Sequence, residues 1–141
     1  MNVLLVSHQG VASGMKEAVH MITGEQKNLH TIELTETGVG EFSTALTSYL
    51  EERKHTDQAL LVLADLKGGT PYNQAVALVH KLDLEQFVHV VSGVNLPLIL
   101  ETLFMDDSSF TISDLERVIT SSKEAIFKAG PLEQNNNDLD E

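Results

Sequence analysis

The sequence predicts an α/β protein in which a parallel β-sheet is covered by α-helices. Two observations lead to this prediction: short apolar runs recur along the chain, and each is followed by a segment whose apolar residues have helical spacing. The 141 residues are the length of one domain, and 42% of them are hydrophobic, so a core can form without disulfide bonds or metal ions. We therefore expect four parallel strands joined by right-handed crossovers.

Four apolar runs predict the strands of this sheet. In chain order they are Val3–Val6, Leu29–Leu34, Ala59–Ala64 and Phe87–Val91. The third run is the most apolar of the four. Because strands covered on both faces are continuously hydrophobic, we expect this run in the centre of the sheet.

Five segments with helical spacing predict the helices. The first two have apolar stripes at Met15, Ala18, Val19 and Ile22, ending at Gly24, and at Phe42, Ala45, Leu46, Tyr49 and Leu50. The other three are expected over Pro71–Leu82, from Asn95 to about Met105, and toward Lys123 after a capping box at Ser113–Glu116. The fourth helix is apolar on more than one face, which indicates either core packing or a subunit interface.

The charge and composition exclude several classes of partner and site. With 21 acidic and 9 basic side chains the formal charge is -12, so we expect neither nucleic acid nor a membrane surface as a partner. The absence of cysteine excludes disulfide scaffolds, thiolate zinc sites and cysteine nucleophiles. The start of the chain has no basic segment and an apolar run of only four residues, so we expect a soluble cytoplasmic protein.

The composition changes near Pro131. Residues 131–141 hold four acids, no base and only two leucines that could be buried. We expect a single domain over residues 1–130 and a mobile acidic tail over residues 131–141. The domain alone has 17 acids and 9 bases, and its net charge of -8 is still strongly acidic.

Polar loops that contain glycine follow three of the predicted strands. They are Ser7–Gly10 after the first, Asp65–Pro71 after the third and Ser92–Pro97 after the fourth. In an open α/β sheet the ligand crevice lies beyond the carboxyl ends of the strands, where the strand order reverses. If the first and third strands are neighbours, His8 and Asp65 project into the same crevice.

A carboxylate beside a histidine has a definite chemical use. It fixes one ring nitrogen as a hydrogen-bond donor and leaves the other with a free lone pair, as a nucleophile or a base requires. After Asp65, Thr70 suits a helix N-cap and Pro71 the first helical position, while Gly68 and Gly69 allow close approach of a ligand. Free N–H groups at the helix start favour an anion, and phosphate is the obvious candidate.

Other charged residues add little to this site. Lys67 could contribute a positive charge, but the only arginines, Arg53 and Arg117, fall in helical segments away from these loops, so no arginine clamp is expected. The loop residues also suit plain turn and cap chemistry, and spacing alone leaves a structural interpretation open. The other histidines are interpreted as ordinary surface or half-buried residues, since their spacing suits no metal site. These are His20, His30, His55, His80 and His89.

Three motifs together resemble a known family. In order and spacing, Val3–His8, Asp65–Asn73 and Gly93–Pro97 are similar to the IIA component of the mannose/fructose/sorbose family of the bacterial phosphoenolpyruvate-dependent sugar phosphotransferase system. The resemblance covers nearly all of residues 1–130. It implies a flavodoxin-like sheet and a cytoplasmic homodimer whose short last antiparallel strand, here around residues 125–128, is exchanged between subunits.

The resemblance also implies roles for the site residues. His8 would be the phosphorylated histidine, which takes a phosphoryl group from the phosphocarrier HPr and passes it to a IIB subunit during sugar uptake. Asp65 resembles the carboxylate that orients the histidine, and Thr70 with the Gly68 and Gly69 amides resembles the phosphate-holding loop. No cofactor or metal is implied, and the membrane subunits IIC and IID would be reached only through IIB.

The chain departs from the family pattern in two places. Gln9 separates the histidine from Gly10, whereas family members often have glycine directly after the histidine. No IIB domain follows in this sequence, so the IIB partner is expected to be a separate polypeptide. The transported sugar meets the membrane subunits, and no residue of this chain is expected to touch it.

Three alternatives to the carrier role are considered. A response-regulator receiver would use Asp65 as its phosphoacceptor, but it needs an acidic pair for Mg²⁺ where this chain has Ser7 and His8. A phosphohistidine mutase would hold its histidine among arginines, which this chain lacks near His8. A non-catalytic regulatory module with the same fold is the third, and exposure to phospho-HPr separates it from a carrier.

Overall fold

The structure is a computed structural model and describes residues 1–132. Within these residues, four strands and five α-helices follow one another in the predicted order. The strands are β1 (Asn2–His8), β2 (Leu29–Leu34), β3 (Leu60–Ala64) and β4 (Val88–Ser92). The helices are α1 (Val11–Thr23), α2 (Val39–Glu52), α3 (Thr70–Lys81), α4 (Leu96–Leu103) and α5 (Ile112–Glu124), with one turn of 3₁₀ helix at Asp107–Ser109.

The four strands form one parallel sheet in the order β2-β1-β3-β4. This confirms the predicted α/β architecture and makes β1 and β3 the two interior strands. Every residue of β3 is buried, as expected for the most apolar run. The strand order reverses between β1 and β3, so the loops that follow these two strands begin side by side.

Helices cover both faces of the sheet and create two cores. On one face, Leu5 and Leu61 pack with apolar residues of α1, α4 and α5; on the other, Leu4 and Val62 pack with residues of α2 and α3. These four side chains are fully buried, and each contributes about 1.5 to 3 kcal/mol to the stability of the fold. Because both cores use the interior strands, the carboxyl ends of β1 and β3 are held firmly in place.

The apolar faces of α4 are explained by core packing. Leu98, Ile99 and Leu103 are buried in the core on the α1 side of the sheet, and Leu100 is partly buried there. Phe104, at the end of the helix, is the exposed member of the group. Neither α4 nor any other helix of the described residues is both long enough and apolar enough to cross a membrane.

The capping box of α5 begins two residues before the predicted position. Thr111 rather than Ser113 is the N-cap, since its hydroxyl accepts from the Asp114 amide while the Asp114 carboxylate accepts from the Thr111 amide at 3.0 Å. The preceding residue, Phe110, and the fourth helical residue, Leu115, pack against the same core. This hydrophobic staple favours Thr111 over Ser113 as the start of the helix.

Residues 125–128 lie beyond the end of α5 and belong to neither helix nor strand. Two large apolar side chains in this segment, Ile126 and Phe127, are exposed. An exchanged strand requires a second subunit, so it stays a prediction. The expected acidic tail lies outside the described residues from position 133 onward.

Candidate active site

His8 is the last residue of β1, and its ring lies beside the carboxylate of Asp65. The Nδ1 atom of His8 is 2.8 Å from Asp65 Oδ2, and the main-chain N–H of His8 donates to the same oxygen at 3.0 Å. The His8 side chain is 45% exposed, whereas that of Asp65 is 12% exposed. The structure thus brings together the two residues that the sequence placed in one crevice, as an accessible ring beside a largely buried carboxylate.

Sheet pairing fixes both partners of this contact. The last register pair of β1 and β3 is Val6 with Ala64, and the Asp65 N–H continues the ladder by donating to Val6 O at 3.3 Å. Asp65 is therefore held by main-chain hydrogen bonding at the point where β3 ends. Since His8 is the last residue of the neighbouring strand, neither group depends on a flexible loop for its position.

The surroundings of Asp65 keep its carboxyl group ionised. Burial alone raises the pKa of Asp65, but hydrogen bonds from the His8 amide and ring, together with the charge of a protonated His8, outweigh burial and hold the pKa below its ordinary value. The other oxygen, Oδ1, is buried and has no hydrogen-bond partner among the described residues. Among the described residues, the Asp65 carboxylate thus accepts hydrogen bonds only from His8.

An ionised carboxylate decides which ring nitrogen of neutral His8 carries the proton. Because Asp65 Oδ2 can only accept, the contact at 2.8 Å requires N–H at Nδ1, and Nε2 keeps its lone pair. The ring can act as a nucleophile through Nε2. Asp65 then stabilises the positive charge that develops on the ring during attack.

Gly69 lies against the ring of His8 just before α3. A Cβ atom at this position would come within 3.1 Å of His8 Cε1 and 3.2 Å of Leu66 O. Cε1 lies between the two ring nitrogens, so this edge of the ring adjoins the start of α3. The Gly69 amide donates to Leu66 O at 3.0 Å, so Gly69 provides space for the ring rather than a free donor for a ligand.

The start of α3 differs by one residue from the prediction. Gly69 rather than Thr70 is the N-cap, and Thr70 and Pro71 are the first and second helical residues. The first helical hydrogen bond sets this boundary, since the Asn73 N–H donates to Gly69 O at 2.9 Å. The Thr70 hydroxyl therefore makes no capping bond and is available to a ligand.

Three main-chain N–H groups near this helix start are also available. The amides of Gly68, Thr70 and Tyr72 have no hydrogen-bond partner in the described part of the chain. Gly68 has a φ of +81°, a conformation that favours glycine. Together with the positive end of the helix dipole, these donors suit an anion such as phosphate.

Two further residues, which sequence reasoning missed, shape the surroundings of His8. Buried Ser7 donates from its hydroxyl to His8 O at 2.7 Å and accepts from the Ala12 N–H at 2.8 Å, so it links the histidine to the first turn of α1. Glu33 of β2 accepts from the Ser13 N–H at 2.7 Å. A hydroxyl at the end of an apolar strand is a signal that could have identified Ser7, whereas nothing in the sequence marks Glu33.

The loop after β4 has a structural role. Asn95 is the N-cap of α4, since its Oδ1 accepts from the Leu98 N–H at 2.9 Å, and its Nδ2 donates to Ser122 O at 3.1 Å. These bonds tie α4 to α5. No hydrogen bond joins this loop to His8 or Asp65 among the residues that the structure describes.

Both arginines lie away from the site, as predicted. The Arg53 guanidinium lies over the Tyr49 ring, 4.8 Å from its centroid, and Arg117 is 3.6 Å from the Asp114 carboxylate on α5. Lys67, in the loop before α3, is exposed. The donors available near the start of α3 are therefore main-chain amides, the Thr70 hydroxyl and the exposed Lys67 ammonium, and neither guanidinium group lies among them.

Fold and site define an α/β protein that presents a histidine oriented by a carboxylate, next to a helix start with free main-chain N–H groups, at the switch point of a parallel sheet. A family profile described as "PTS system fructose IIA component", where PTS stands for phosphotransferase system, matches residues 2–119. The chain belongs to this family, the IIA components of the sugar phosphotransferase system, which are phosphotransferases of sugar transport. The resemblance seen in the sequence is confirmed.

Individual relatives agree with the family. A sorbose-specific EIIA component from Lacticaseibacillus casei is 34% identical over 125 residues, which cover 88% of this chain and 86% of the relative. The mannose/sorbose specific IIA subunit from Enterococcus faecalis has a TM-score of 0.78 at 26% identity, covering 94% of this chain and 96% of its own. A IIA protein associated with the fucose utilization operon of Streptococcus pneumoniae has a TM-score of 0.77 at 28% identity, with 90% and 91% covered.

Proposed function

We propose that this protein is a phosphohistidine carrier, which accepts a phosphoryl group on His8 from phospho-HPr and passes it to a IIB subunit. The observation that carries the proposal is the contact of 2.8 Å between His8 Nδ1 and Asp65 Oδ2, because it leaves Nε2 free beside the start of α3. Through IIB, the phosphoryl group reaches the membrane subunits IIC and IID and the transported sugar. We place the protein in the cytoplasm, where HPr would supply it.

The transfer needs no group that this site lacks. The Nε2 lone pair of His8 attacks the phosphorus atom of phosphohistidine on HPr, a new N–P bond forms, and the N–P bond of the donor breaks with its electron pair returning to the donor imidazole. The proton stays on Nδ1 in its bond to Asp65, whose negative charge balances the charge on the phosphorylated ring. Transfer to IIB repeats these events with His8 as the leaving group.

The donors around Nε2 suit a group that must be passed on. The Thr70 hydroxyl and the Gly68, Thr70 and Tyr72 amides can bind the phosphoryl oxygens without the bidentate grip of an arginine. Neutral donors stabilise the transferring group while they leave the N–P bond labile. A carrier requires both properties, whereas a phosphatase or a mutase would also require groups that activate water or hold a free metabolite.

Apolar side chains on the same surface provide a place for protein partners to dock. Val11, Val39 and Leu66 are exposed, and they follow β1, β2 and β3 at the edge of the sheet where His8 lies. A partner that brings its own reacting atom to Nε2 must cover this surface. The net charge of -12 favours a partner with a basic face, which is what we expect of HPr.

We also propose a homodimer formed through the free edge of β4. An apolar groove runs along this edge between α3 and α5, and segment 125–128 exposes Ile126 and Phe127. An antiparallel strand from a second copy would pair with the edge and bury these side chains. The apolar residues that line the groove are Val76, Val79, Val88, Val90, Val91, Leu115 and Ile119.

The experiment that tests the carrier role is intact-mass measurement after incubation with phosphoenolpyruvate, Enzyme I and HPr. The wild-type protein and His80→Ala should each gain one acid-labile phosphoryl group, whereas His8→Ala should gain none. His80 is a matched control because it too lies in contact with a carboxylate. If the wild type gains nothing while phospho-HPr is present in the same tube, the carrier role is wrong and a non-catalytic regulatory module becomes the better interpretation.

The nitrogen that carries the phosphoryl group tests the site geometry separately. With Asp65 on Nδ1, we expect the phosphoryl group on Nε2. Nitrogen and phosphorus NMR of the phosphorylated protein distinguishes the two isomers. A phosphoryl group on Nδ1 would contradict the role proposed for Asp65 even if His8 is the acceptor.

A further inference from the structure

The first turn of α1 is capped from the neighbouring strands. Its N-cap residue, Gly10, has no side chain, so the Ala12 N–H donates to Ser7 of β1 and the Ser13 N–H donates to Glu33 of β2 at 2.7 Å. The start of α3 is different, because its free amides have no partner among the described residues. At the start of α1 a carboxylate accepts from the main-chain N–H groups, whereas at the start of α3 the N–H groups have no such acceptor among the described residues.

The position of Glu33 is fixed by the sheet. In the parallel register of β1 and β2, Glu33 pairs with Ser7, the residue directly before His8. Burial raises the pKa of Glu33, but hydrogen bonds from the Ser13 and Gly10 main-chain groups and from the Ser13 side chain outweigh it, so the pKa lies below its ordinary value. Glu33 is thus a fixed negative charge one strand away from the candidate phosphoacceptor.

We propose that Glu33 is a positioning residue of the phosphoryl relay, which fills the start of α1 and thereby directs the phosphoryl group on His8 to the start of α3. The proposal rests on the carrier role of His8. Without an acid at this place, the first turn of α1 would offer free N–H groups and a positive dipole end to the same phosphoryl group. Glu33 removes that competing site.

The charge of Glu33 has a second consequence for the relay. A fixed carboxylate near His8 repels the negatively charged phosphoryl group, so phospho-His8 is less stable than it would be beside a neutral residue. A carrier that binds its cargo too tightly cannot pass it on. Glu33 therefore keeps the transfer potential of phospho-His8 high enough for delivery to IIB.

The test compares Glu33→Gln with Glu17→Gln. Glutamine at position 33 keeps the size of the side chain and can still accept from the Ser13 amide through Oε1, so the negative charge is removed while the cap of α1 is retained. Glu17 is an exposed acid on α1, one turn beyond Ser13, and its substitution makes the same change in net charge. For each protein, the equilibrium constant for phosphoryl exchange with HPr and the hydrolysis half-life of phospho-His8 are measured at low and high salt.

We expect Glu33→Gln to shift the exchange equilibrium toward phospho-His8 by about three- to tenfold and to lengthen its half-life. Glu17→Gln should change either quantity by less than about twofold, because exposed charges at longer range are screened. The effect of Glu33→Gln should shrink at high salt, which a loss of packing would not produce. Unfolding midpoints within experimental error of the wild type would show that the fold is intact.

The outcomes separate this proposal from the carrier role. If the wild type is not phosphorylated by phospho-HPr, the carrier role fails and the proposal fails with it. If the wild type is phosphorylated but Glu33→Gln and Glu17→Gln give the same equilibrium constant, the carrier role stands and Glu33 has only a structural function. An equal shift at both salt concentrations would also overturn the electrostatic role.

Discussion

A histidine and a carboxylate lie in contact near each end of helix α3. Next to its first turn, His8 Nδ1 is 2.8 Å from Asp65 Oδ2, and in its last turn His80 Nδ1 is 2.6 Å from Glu85 Oε1. The two contacts differ in their surroundings. The side chains of His8 and Asp65 are 45% and 12% exposed, whereas those of His80 and Glu85 are 85% and 50% exposed.

The difference shows what a short contact needs before it can serve in catalysis. Asp65 is held by the β1–β3 ladder and accepts two hydrogen bonds from His8, while His80 and Glu85 are surface side chains that solvent can separate. The ends of α3 also differ in sign, because the positive end of the helix dipole lies near His8 and the negative end near His80. Free N–H groups lie at the first end, whereas the carbonyl groups of Leu78, Val79 and His80 at the second accept main-chain hydrogen bonds. A phosphoryl group is stabilised at the first end and repelled at the second.

Of the substitutions at the two ends of α3, removal of the Asp65 carboxylate should change the rate of phosphoryl uptake most. Asp65→Asn removes the negative charge that stabilises the positive charge developing on the His8 ring during attack, so phosphoryl transfer to Nε2 becomes slower. We expect the rate of phosphoryl uptake from phospho-HPr to fall about 100-fold or more. Phosphorylation time courses followed by intact mass measure this rate.

Glu85→Gln is the matched substitution at the other end of α3. It removes the same charge from a histidine contact of similar length, and we expect the uptake rate to stay within about twofold of wild type. Equal losses in Asp65→Asn and Glu85→Gln would mean that net charge, rather than orientation of His8, controls the reaction. In that case the proposed role of Asp65 would have to be abandoned.

Gly69→Ala should have the next largest effect, since the added Cβ meets the ring of His8 at 3.1 Å. The backbone of Gly69 has a φ of -74°, which alanine adopts readily, so the effect comes from the contact and not from backbone strain. We expect the displaced ring to lower the uptake rate about tenfold. Ring NMR shifts of His8 should change in parallel.

A control for Gly69→Ala is available in α1. A Cβ at Gly14 meets nothing within 4 Å, and its position inside a helix favours alanine by about 1 kcal/mol. Gly14→Ala should therefore raise stability and leave phosphorylation unchanged. If Gly69→Ala is phosphorylated at the wild-type rate, the ring of His8 is not confined by the start of α3.

The fold and the reacting pair could be predicted from the sequence, but the details of the site could not. Apolar runs identify the strands, and strand ends then place His8 and Asp65 together. The boundary at Thr70 was wrong by one residue, because the first helical hydrogen bond runs from the Asn73 N–H to Gly69 O, and the side-chain preferences of N-cap residues do not indicate it. The position of Glu33 beside α1 could not be predicted, because it depends on the register between β1 and β2. The residues around Glu33 in the sequence give no local signal of that register.

Unfolding in acid should also distinguish Asp65 from Glu85, although the expected effect on stability is smaller than the effect on phosphorylation. The pKa of Asp65 lies below its ordinary value in the folded protein, despite burial, because of its hydrogen bonds to His8. Its stabilising contribution is therefore complete above the pKa of the unfolded chain and is lost as the pH falls through the lower, folded-state pKa. In Asp65→Asn, the free energy of unfolding should depend less steeply on pH in this acidic range.

Urea unfolding at a series of pH values between neutral and strongly acidic measures this dependence. The pKa of Glu85 is lowered as well, by a hydrogen bond to its own main chain and by His80, but the side chain lies at the surface, where water screens its charge. Glu85→Gln should therefore change the pH dependence less than Asp65→Asn. Parallel curves for wild type and Asp65→Asn would show that Asp65 contributes no pH-dependent stability.

The smallest effect is expected at Asp83, beyond the C-terminal end of α3, where a non-glycine residue has a φ of +55°. Asp83→Gly relieves this conformation and removes a negative charge from the negative end of the helix dipole, so stability should rise by about 0.5 to 1 kcal/mol. Asp83→Asn removes only the charge and should give a smaller gain. Urea midpoints with unchanged slopes measure both, and an altered phosphorylation rate in either variant would show that the two ends of α3 are coupled after all.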